Sequence, residues 1–162
     1  NGIIQHLRGT ENKNICDLGI IDVTCSSLNS SYPPKNVVDF DNDNYFLSNS
    51  GYAWIQYDFK DKKVRPTRYS IKTRNDSDDQ NPISWFVEVS NTGQDDDWRI
   101  IDIQRGNTSV SKRNQTNTFD ISTQLMNNES YRYLRFRPYN KTSGNNNCLA
   151  ISSLEFFGFL IE

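Results

Sequence analysis

Oxygen-bearing side chains crowd residues 39–44 (DFDNDN), where Asp39, Asp41 and Asp43 alternate with Phe40 and two Asn residues. Carboxylate and amide oxygens are the ligands that Ca²⁺ prefers, and it takes about six to eight of them. The segment has no Gly at its sixth position and no helical pattern on either side, which excludes an EF-hand. Two interpretations stay open: a calcium site that uses Asp39 or Asp41, or a solvated acidic turn between two strands.

Large apolar side chains follow this acidic segment inside an otherwise polar stretch, at Tyr45, Phe46, Leu47 and Tyr52. If exposed, they would form an apolar surface that contacts a ligand or enters a membrane. No cluster of Lys or Arg lies beside them to attract anionic lipid, so membrane binding is disfavoured. The alternative is that Tyr45 and Phe46 fold back onto the core.

Catalysis has little support in the sequence. The single His excludes triads and zinc sites that need two or more His residues. The Asp runs at 76–79 and 95–97 could supply a glycosidase pair, which needs two carboxylates about 5–10 Å apart in a cleft. These carboxylates lie in Ser- and Asn-rich loops, where they stay hydrated. We therefore predict that the protein is not an enzyme.

The hydrophobic pattern that must position these loops has a period of two. Ile55, Tyr57 and Phe59 alternate with polar neighbours, as in a sheet with one wet face. Asn, Ser and Thr account for 47 of the 162 residues and concentrate between such runs. The longest apolar run is a few residues, which excludes a transmembrane helix. A net charge of −2 disfavours nucleic-acid binding.

Six segments stand out in their order along the chain: 34–39 (PKNVVD), 54–59 (WIQYDF), 69–72 (YSIK), 84–93 (SWFVEVSNTG), 131–136 (YRYLRF) and 154–158 (LEFFG). Together they resemble the discoidin family, that is, the coagulation-factor 5/8 type C domains. Residues 2–4 and 18–24 near the start and 155–158 near the end are most similar to its intracellular branch, found in BTB-domain adaptors.

The resemblance implies an all-β fold, an eight-stranded antiparallel jelly-roll sandwich of galactose-binding-like type, with ligands bound by loops at one rim. We expect residues 1–162 to form one such domain, excised from or part of a larger protein. Glu155 would close a structural calcium site with Asp39 or Asp41 where relatives hold the metal; otherwise no cofactor is expected. The predicted ligand-binding residues are Tyr45, Phe46, Leu47, Tyr52, Arg74, Asp76, Asp78, Tyr139, Asn140 and Lys141.

Three Trp residues, Trp54, Trp85 and Trp98, fall at core positions of the family and are expected to pack internally. Basic residues on two predicted strands would instead form stripes on a solvent face. Such stripes could meet an acidic protein surface, or pair across strands with Asp58, Asp61, Glu88 or Asp102. The second stripe consists of Arg132, Arg135, Arg137 and Lys141.

The function predicted first is a non-catalytic module that binds a protein or peptide partner through the rim loops. The alternative is a carbohydrate-binding domain that uses the same rim, in which Tyr139, Asn140 and Arg74 would contact the sugar. Three cysteines, Cys16, Cys25 and Cys148, cannot all pair within one chain, which favours an intracellular location over secretion. The oligomeric state is not predicted.

Overall fold

The computed structural model describes residues 1–41 and 43–162, apart from the side chain of Thr123; Asn42, part of the oxygen-rich segment, lies outside the described residues. Three short helical segments occur: α1 (Ile3–Arg8), a 3-10 helix (Pro34–Val38) and α2 (Thr123–Met126). No helix among the described residues has the length and apolarity needed to cross a membrane. The strands are β1 (Asp22–Cys25), β2 (Phe46–Leu47), β3 (Ile55–Asp58), β4 (Lys63–Lys72), β5 (Trp85–Ser90), β6 (Arg99–Gln104), β7 (Thr116–Asp120), β8 (Tyr133–Pro138), β9 (Ala150–Ile151) and β10 (Ser153–Ile161).

The strands form two main sheets, and the predicted all-β sandwich is confirmed. A five-stranded sheet has the order β1-β3-β8-β5-β6, and a three-stranded sheet has the order β10-β4-β7. All of their pairings are antiparallel. The two sheets hold eight strands between them, and β2 and β9 add a separate two-residue pair.

Aromatic side chains from both sheets fill the core. The alternation along β3 and β8 buries one face of each strand and leaves the other face half-buried. Tyr57 packs edge-to-face on Phe156 from the other sheet, with ring centroids 5.4 Å apart. Trp85 likewise packs edge-to-face on Phe119 at 5.3 Å. These contacts between the sheets are the main apolar burial that stabilises the sandwich.

A polar connection joins the two sheets inside this core. The Trp85 indole donates a hydrogen bond from Nε1 to the Tyr69 hydroxyl at 2.8 Å, and that hydroxyl donates to Asp102. Tyr69 is fully buried on β4, whereas Trp85 and Asp102 belong to β5 and β6. Burial raises the pKa of Tyr69, so its hydroxyl stays protonated and remains a donor.

A bulge explains how a Pro and a Gly fit into the long β4–β10 pair. The register shifts between Phe157 and Gly158, so that Thr67 has no partner residue on β10. A Cβ at Gly158 would lie 2.3 Å from the Arg65 carbonyl oxygen, and only Gly allows this approach. Pro66 pairs with Gly158 beside the bulge, where the missing backbone donor is tolerated.

We expect Tyr69→Phe to destabilise the fold strongly, because it leaves the Trp85 indole N–H without an acceptor and removes one of the two side-chain donors to Asp102, the other being Gln104. Leaving a buried hydrogen-bonding group without a partner lowers the free energy of unfolding by about 2–3 kcal/mol. Urea unfolding followed by Trp fluorescence measures the change in the free energy of unfolding.

Tyr139→Phe is the matched control, since the half-buried Tyr139 hydroxyl also makes one hydrogen bond, to the Gln104 carbonyl oxygen at 3.2 Å. Water can replace that partner, so we expect a loss of about 0.5 kcal/mol or less. Equal losses for the two variants would contradict a special role for the buried connection.

Candidate functional site

Three loops meet at the end of the sandwich where β4 ends and β10 begins. We call the described residues of these loops, 43–54, 73–84 and 139–149, the upper rim. The Ser143 backbone N–H donates to the Asn81 carbonyl at 2.9 Å, and the Ser143 hydroxyl donates to the Asp78 carbonyl. Ser48 and Leu149 join loop 43–54 to loop 139–149 through a pair of hydrogen bonds. The upper rim is thus a connected surface, and the sheets below hold it in place.

Arg74 lies at the centre of the upper rim, two residues after β4 ends. Its side chain is only 8% exposed, and its guanidinium group is held on three sides. Nε donates to Asp76 Oδ1 at 2.7 Å, Nη1 to Gln80 Oε1 at 2.7 Å, and Nη2 to the Tyr45 hydroxyl at 2.9 Å. These contacts fix the position of the group before any ligand arrives.

Tyr45 is the aromatic part of this cluster. Its ring stacks on Tyr32 with centroids 4.7 Å apart and planes 11° apart. The Arg74 guanidinium carbon lies 4.3 Å from the same Tyr45 ring. Burial raises the pKa of Tyr45, so the hydroxyl is protonated and also donates to Asp76 Oδ2 at 3.2 Å. Tyr32, which is half-buried, is the outer ring of the stack.

Asp76 is the accessible charged group of the cluster. Half of its side chain is exposed, whereas Arg74 is almost covered. Hydrogen bonding from Arg74 lowers the pKa of Asp76, and the same bond raises the pKa of Arg74 although burial alone would lower it. The pair is therefore fully ionised near neutral pH.

The cluster offers both donors and acceptors to a ligand. Asp76 presents carboxylate oxygens that can accept from hydroxyl groups. Gln80 uses its amide oxygen on Arg74, which leaves its NH₂ group as a donor. Charge-assisted hydrogen bonds of this type are shorter and stronger than neutral ones. The arrangement suits a polyhydroxylated ligand that approaches beside the Tyr32–Tyr45 stack.

Three predicted ligand-binding residues, Tyr45, Arg74 and Asp76, are brought together by the structure. Two others lie apart: Leu47 is half-buried on β2, and Tyr52 is 44% exposed in the following loop. Phe46 requires a correction, because its side chain is 0% exposed within the core cluster. Apolar packing there outweighs the polar neighbourhood from which exposure was inferred.

The remaining predicted residues lie around the cluster rather than in it. Asp78 accepts from Arg113 at 3.1 Å on the surface. Asn140 and Lys141 are exposed, and Lys141 donates to Asn147 within its own loop. Tyr139 stacks on Phe86 of β5 with centroids 4.4 Å apart, so it belongs to the outer sheet face.

Sequence reasoning missed Tyr32 and Gln80. Tyr32 directly precedes Pro33-Pro34, and a large aromatic residue next to such a turn signal could have been considered. Gln80 lies in the predicted loop 75–82, but nothing in its spacing indicates that it reaches Arg74. Its position depends on the hydrogen bond from its backbone N–H to the Ser143 carbonyl.

The family comparison supports the resemblance. The F5/8 type C domain matches residues 22–153 of the chain. The protein belongs to the F5/8 type C domain family. No curated protein shows significant sequence similarity to the chain.

Solved structures of similar fold cover nearly all of this F5/8 type C domain. CBM32-3 from a family 31 glycoside hydrolase of Clostridium perfringens has a TM-score of 0.69 at 20% identity, covering 88% of this chain and 94% of that chain. CpGH89CBM32-5 from the same organism, in complex with GalNAc-beta-1,3-galactose, has a TM-score of 0.68 at 11% identity, covering 86% and 96%. The family 32 CBM of NanJ, also from Clostridium perfringens and in complex with galactose, has a TM-score of 0.65 at 8% identity, covering 85% and 93%.

The carboxylates of the possible calcium site already have hydrogen-bond partners within this F5/8 type C domain. Glu155 accepts hydrogen bonds from the backbone N–H groups of Ile4 and Gln5, each at 2.9 Å, and of Phe156 at 2.8 Å. Asp39 accepts from Asn14, and Asp41 accepts from the Asp43 backbone in a tight turn. No group of three or more His, Cys, Asp or Glu side chains among the described residues could hold a metal.

Glu155 instead attaches helix α1 to the last strand. A Cβ at Gly2 would lie 2.1 Å from the Glu155 carboxyl carbon, so the start of the chain packs closely against this buried side chain. Burial raises the pKa of Glu155, although the three backbone donors act in the opposite direction. The carboxylate thus has the backbone partners that a buried acid requires.

We expect calcium and EDTA to give the same melting temperature within about 1 °C, because a bound metal would raise it by mass action. Glu155→Gln should lose about 2–3 kcal/mol in either solution, since an amide NH₂ group would then meet a backbone donor. Differential scanning calorimetry with and without 1 mM calcium compares the melting temperatures. This concentration is about a hundredfold above the Kd of a weak calcium site, so that binding would be visible.

Glu11→Gln serves as the control, because Glu11 is exposed near the same end of the chain. Its stability should match that of the unmodified protein. Stabilisation by calcium that disappears in Glu155→Gln would contradict our interpretation of this carboxylate.

Proposed function

We propose that this F5/8 type C domain is a non-catalytic carbohydrate-binding module that holds a neutral sugar at the upper rim. The observation that carries the proposal is the fixed cluster of Arg74, Asp76, Gln80 and Tyr45 beside Tyr32. A buried guanidinium group holds an exposed carboxylate in one orientation, next to stacked aromatic rings. Sugar hydroxyls require this combination of directed acceptors and donors with an apolar surface.

Similar folds in complex with sugars support the proposal. Structures of the same architecture contain GalNAc-beta-1,3-galactose, galactose or 4,5-unsaturated mannuronic acid. Because this chain is only 8–14% identical to those proteins, their sugars do not indicate which sugar this chain binds. The choice of a neutral sugar comes from charge, because Arg74 is already paired with Asp76 and a ligand carboxylate would lie close to that acid.

A protein or peptide partner at this rim has less support, since the cluster offers polar groups without an exposed apolar anchor. Protein interfaces usually depend on a buried aromatic or Arg anchor surrounded by weaker contacts. The intracellular location and the relation to BTB-domain adaptors remain predictions. The free state of Cys16, Cys25 and Cys148 supports the first of these.

We expect Arg74→Lys and Asp76→Asn each to weaken binding of a neutral galactoside by at least about tenfold, which corresponds to about 1.4 kcal/mol. Lys cannot reproduce the three-sided contacts of the guanidinium group, and Asn replaces an acceptor by a donor. A glycan array identifies the ligand, and isothermal titration calorimetry on the best binder measures Kd.

The Arg132–Asp58 pair provides matched controls at the other end of the sandwich. Arg132 Nε lies 2.8 Å from Asp58 Oδ1 and Nη2 lies 3.1 Å from Oδ2, almost the geometry of Arg74 and Asp76. Arg132→Lys and Asp58→Asn should therefore leave Kd unchanged. If no neutral glycan binds, or if both pairs of variants behave alike, the rim is not the sugar site.

Sugar binding should survive mild acid. Because hydrogen bonding from Arg74 holds the pKa of Asp76 below its usual range, the carboxylate stays ionised as the pH falls, and its acceptor role is lost only when the pH passes that lowered pKa. We expect Kd at about pH 4.5 to stay within about twofold of its value at pH 7. Even an ordinary Asp is still mainly ionised at about pH 4.5.

Calorimetry across this range measures Kd, and circular dichroism confirms that the domain remains folded at each pH. Asp76→Asn, which cannot ionise, should show no further loss below pH 4. Loss of affinity with a midpoint above pH 5 would argue against Asp76 as the ionised contact.

A further inference from the structure

The outer face of the five-stranded sheet carries a second cluster of aromatic and basic side chains, which we call the Arg135 face. Arg135 on β8 lies between two indole rings, with its guanidinium carbon 4.3 Å from the centroid of Trp54 and 3.8 Å from that of Trp98. Both Trp side chains are half-buried, unlike the fully buried Trp85. The expected core packing of Trp54 and Trp98 is therefore wrong, because they lie outside the core cluster and stack on the half-buried Arg135.

The charges on this face are unequally paired. Arg132 pairs with Asp58 at 2.8 Å, and Arg137 pairs with Glu88, which is the cross-strand pairing expected of an ordinary solvent face. Arg135 has no ion pair among the described residues and donates only to the Gln56 amide oxygen, at 2.9 and 3.2 Å. Arg135 thus has no carboxylate at ion-pair distance among the described residues, and Glu88 and Asp95 act on its charge only from farther away.

One hydrogen-bond donor on the Arg135 face lacks an acceptor. The indole Nε1 of Trp98, the ring closest to Arg135, is buried and has no acceptor among the described residues. An unpaired buried donor of this kind costs free energy in the isolated domain. Burial lowers the pKa of Arg135, and the carboxylates of Glu88 and Asp95 offset this only in part.

We propose that the Arg135 face is a docking surface for an acidic segment of a protein partner. Arg and Trp are the side chains most often found at the energetic centre of protein interfaces. A carboxylate from the partner would supply the missing counter-charge of Arg135, and the indoles would shield that pair from water. The face is separate from the upper rim, so the proposal does not depend on sugar binding.

Charge and stacking together favour a protein carboxylate over a sugar on this face. One face of each indole is already covered by the Arg135 guanidinium, and a sugar ring stacks on exposed aromatic faces. Phe86 is covered in the same way, by Arg137 at 4.7 Å and by Tyr139 at 4.4 Å. Asp and Glu side chains need no such face, because they pair with the guanidinium N–H groups.

The three Trp residues make the proposal directly testable by NMR. The indole N–H signals of ¹⁵N-labelled protein are followed during titration with a capped ten-residue Glu-Ser repeat peptide and, separately, with a Gln-Ser repeat of equal length. We expect the Glu-Ser peptide to shift the Trp54 and Trp98 signals, while Trp85, hydrogen-bonded to Tyr69 in the core, reports that the fold is unchanged. The Gln-Ser peptide should shift none of them.

Variants separate a specific charge contact from general attraction. Arg135→Gln should weaken binding of the Glu-Ser peptide by at least about tenfold, because the counter-charge contact is lost. The Kd of Arg135→Lys should lie between those of the unmodified protein and Arg135→Gln, since Lys keeps the charge without the planar donors. Lys63→Gln makes the same charge change at an exposed residue of the three-stranded sheet and should leave Kd unchanged.

Several outcomes would overturn the proposal. Absence of shifts at Trp54 and Trp98 in the unmodified protein would exclude an acidic docking surface without any variant. Equal weakening of peptide binding by Arg135→Gln and Lys63→Gln would show that net charge alone, and not the Arg135 face, attracts the peptide. Polygalacturonate, tested in the same way, would identify the face as a glycan site if it shifted these two signals at a lower carboxylate concentration than the peptide.

Discussion

The Tyr69 hydroxyl connects the two sheets at a point on which the rest of the structure depends. It accepts from Trp85 on one strand of the five-stranded sheet and donates to Asp102 on the next, while Tyr69 itself belongs to β4. A hydrogen bond in the core allows little sliding, so it fixes β4 relative to the opposite sheet. Arg74 follows β4 directly, and the loop contacts of Thr73 continue the constraint up to it. The geometry of the upper rim is therefore set from inside the core.

The alternation of apolar residues predicted sheets with one wet face, because a buried sheet face requires a period of two whatever the partner strand is. The sandwich, and the choice of Arg74 and Asp76 as residues of the binding rim, came from the family resemblance. Tyr32 and Gln80 could not be predicted, because their roles depend on contacts with Tyr45 and Arg74 that only the folded chain creates. The burial of Phe46 was one of two interpretations left open by the sequence, because it depends on pairing with β9 more than a hundred residues away.

The rim and the Arg135 face differ in how their charges are satisfied. At the rim, the Arg74 charge is neutralised by Asp76, and the remaining donors and acceptors of the protein suit a neutral polar ligand. On the sheet face, Arg135 is held by two aromatic rings, which attract a cation but do not neutralise it. Both sites hold an Arg in a fixed position. The presence or absence of a carboxylate at ion-pair distance is the basis on which we propose different ligands for them.

The attachment of helix α1 to Glu155 also bears on the order in which the chain folds. Residues that meet there are about 150 positions apart, and the central strand β4 similarly pairs with β10 across some eighty to a hundred positions. Such distant pairings are slow to form, because the loop between them must be closed before the contact is gained. During synthesis, β4 leaves the ribosome well before β10 exists, and one of its edges is unpaired until β10 has been made. An exposed edge is an aggregation hazard, so the newly made domain depends on β10 for protection.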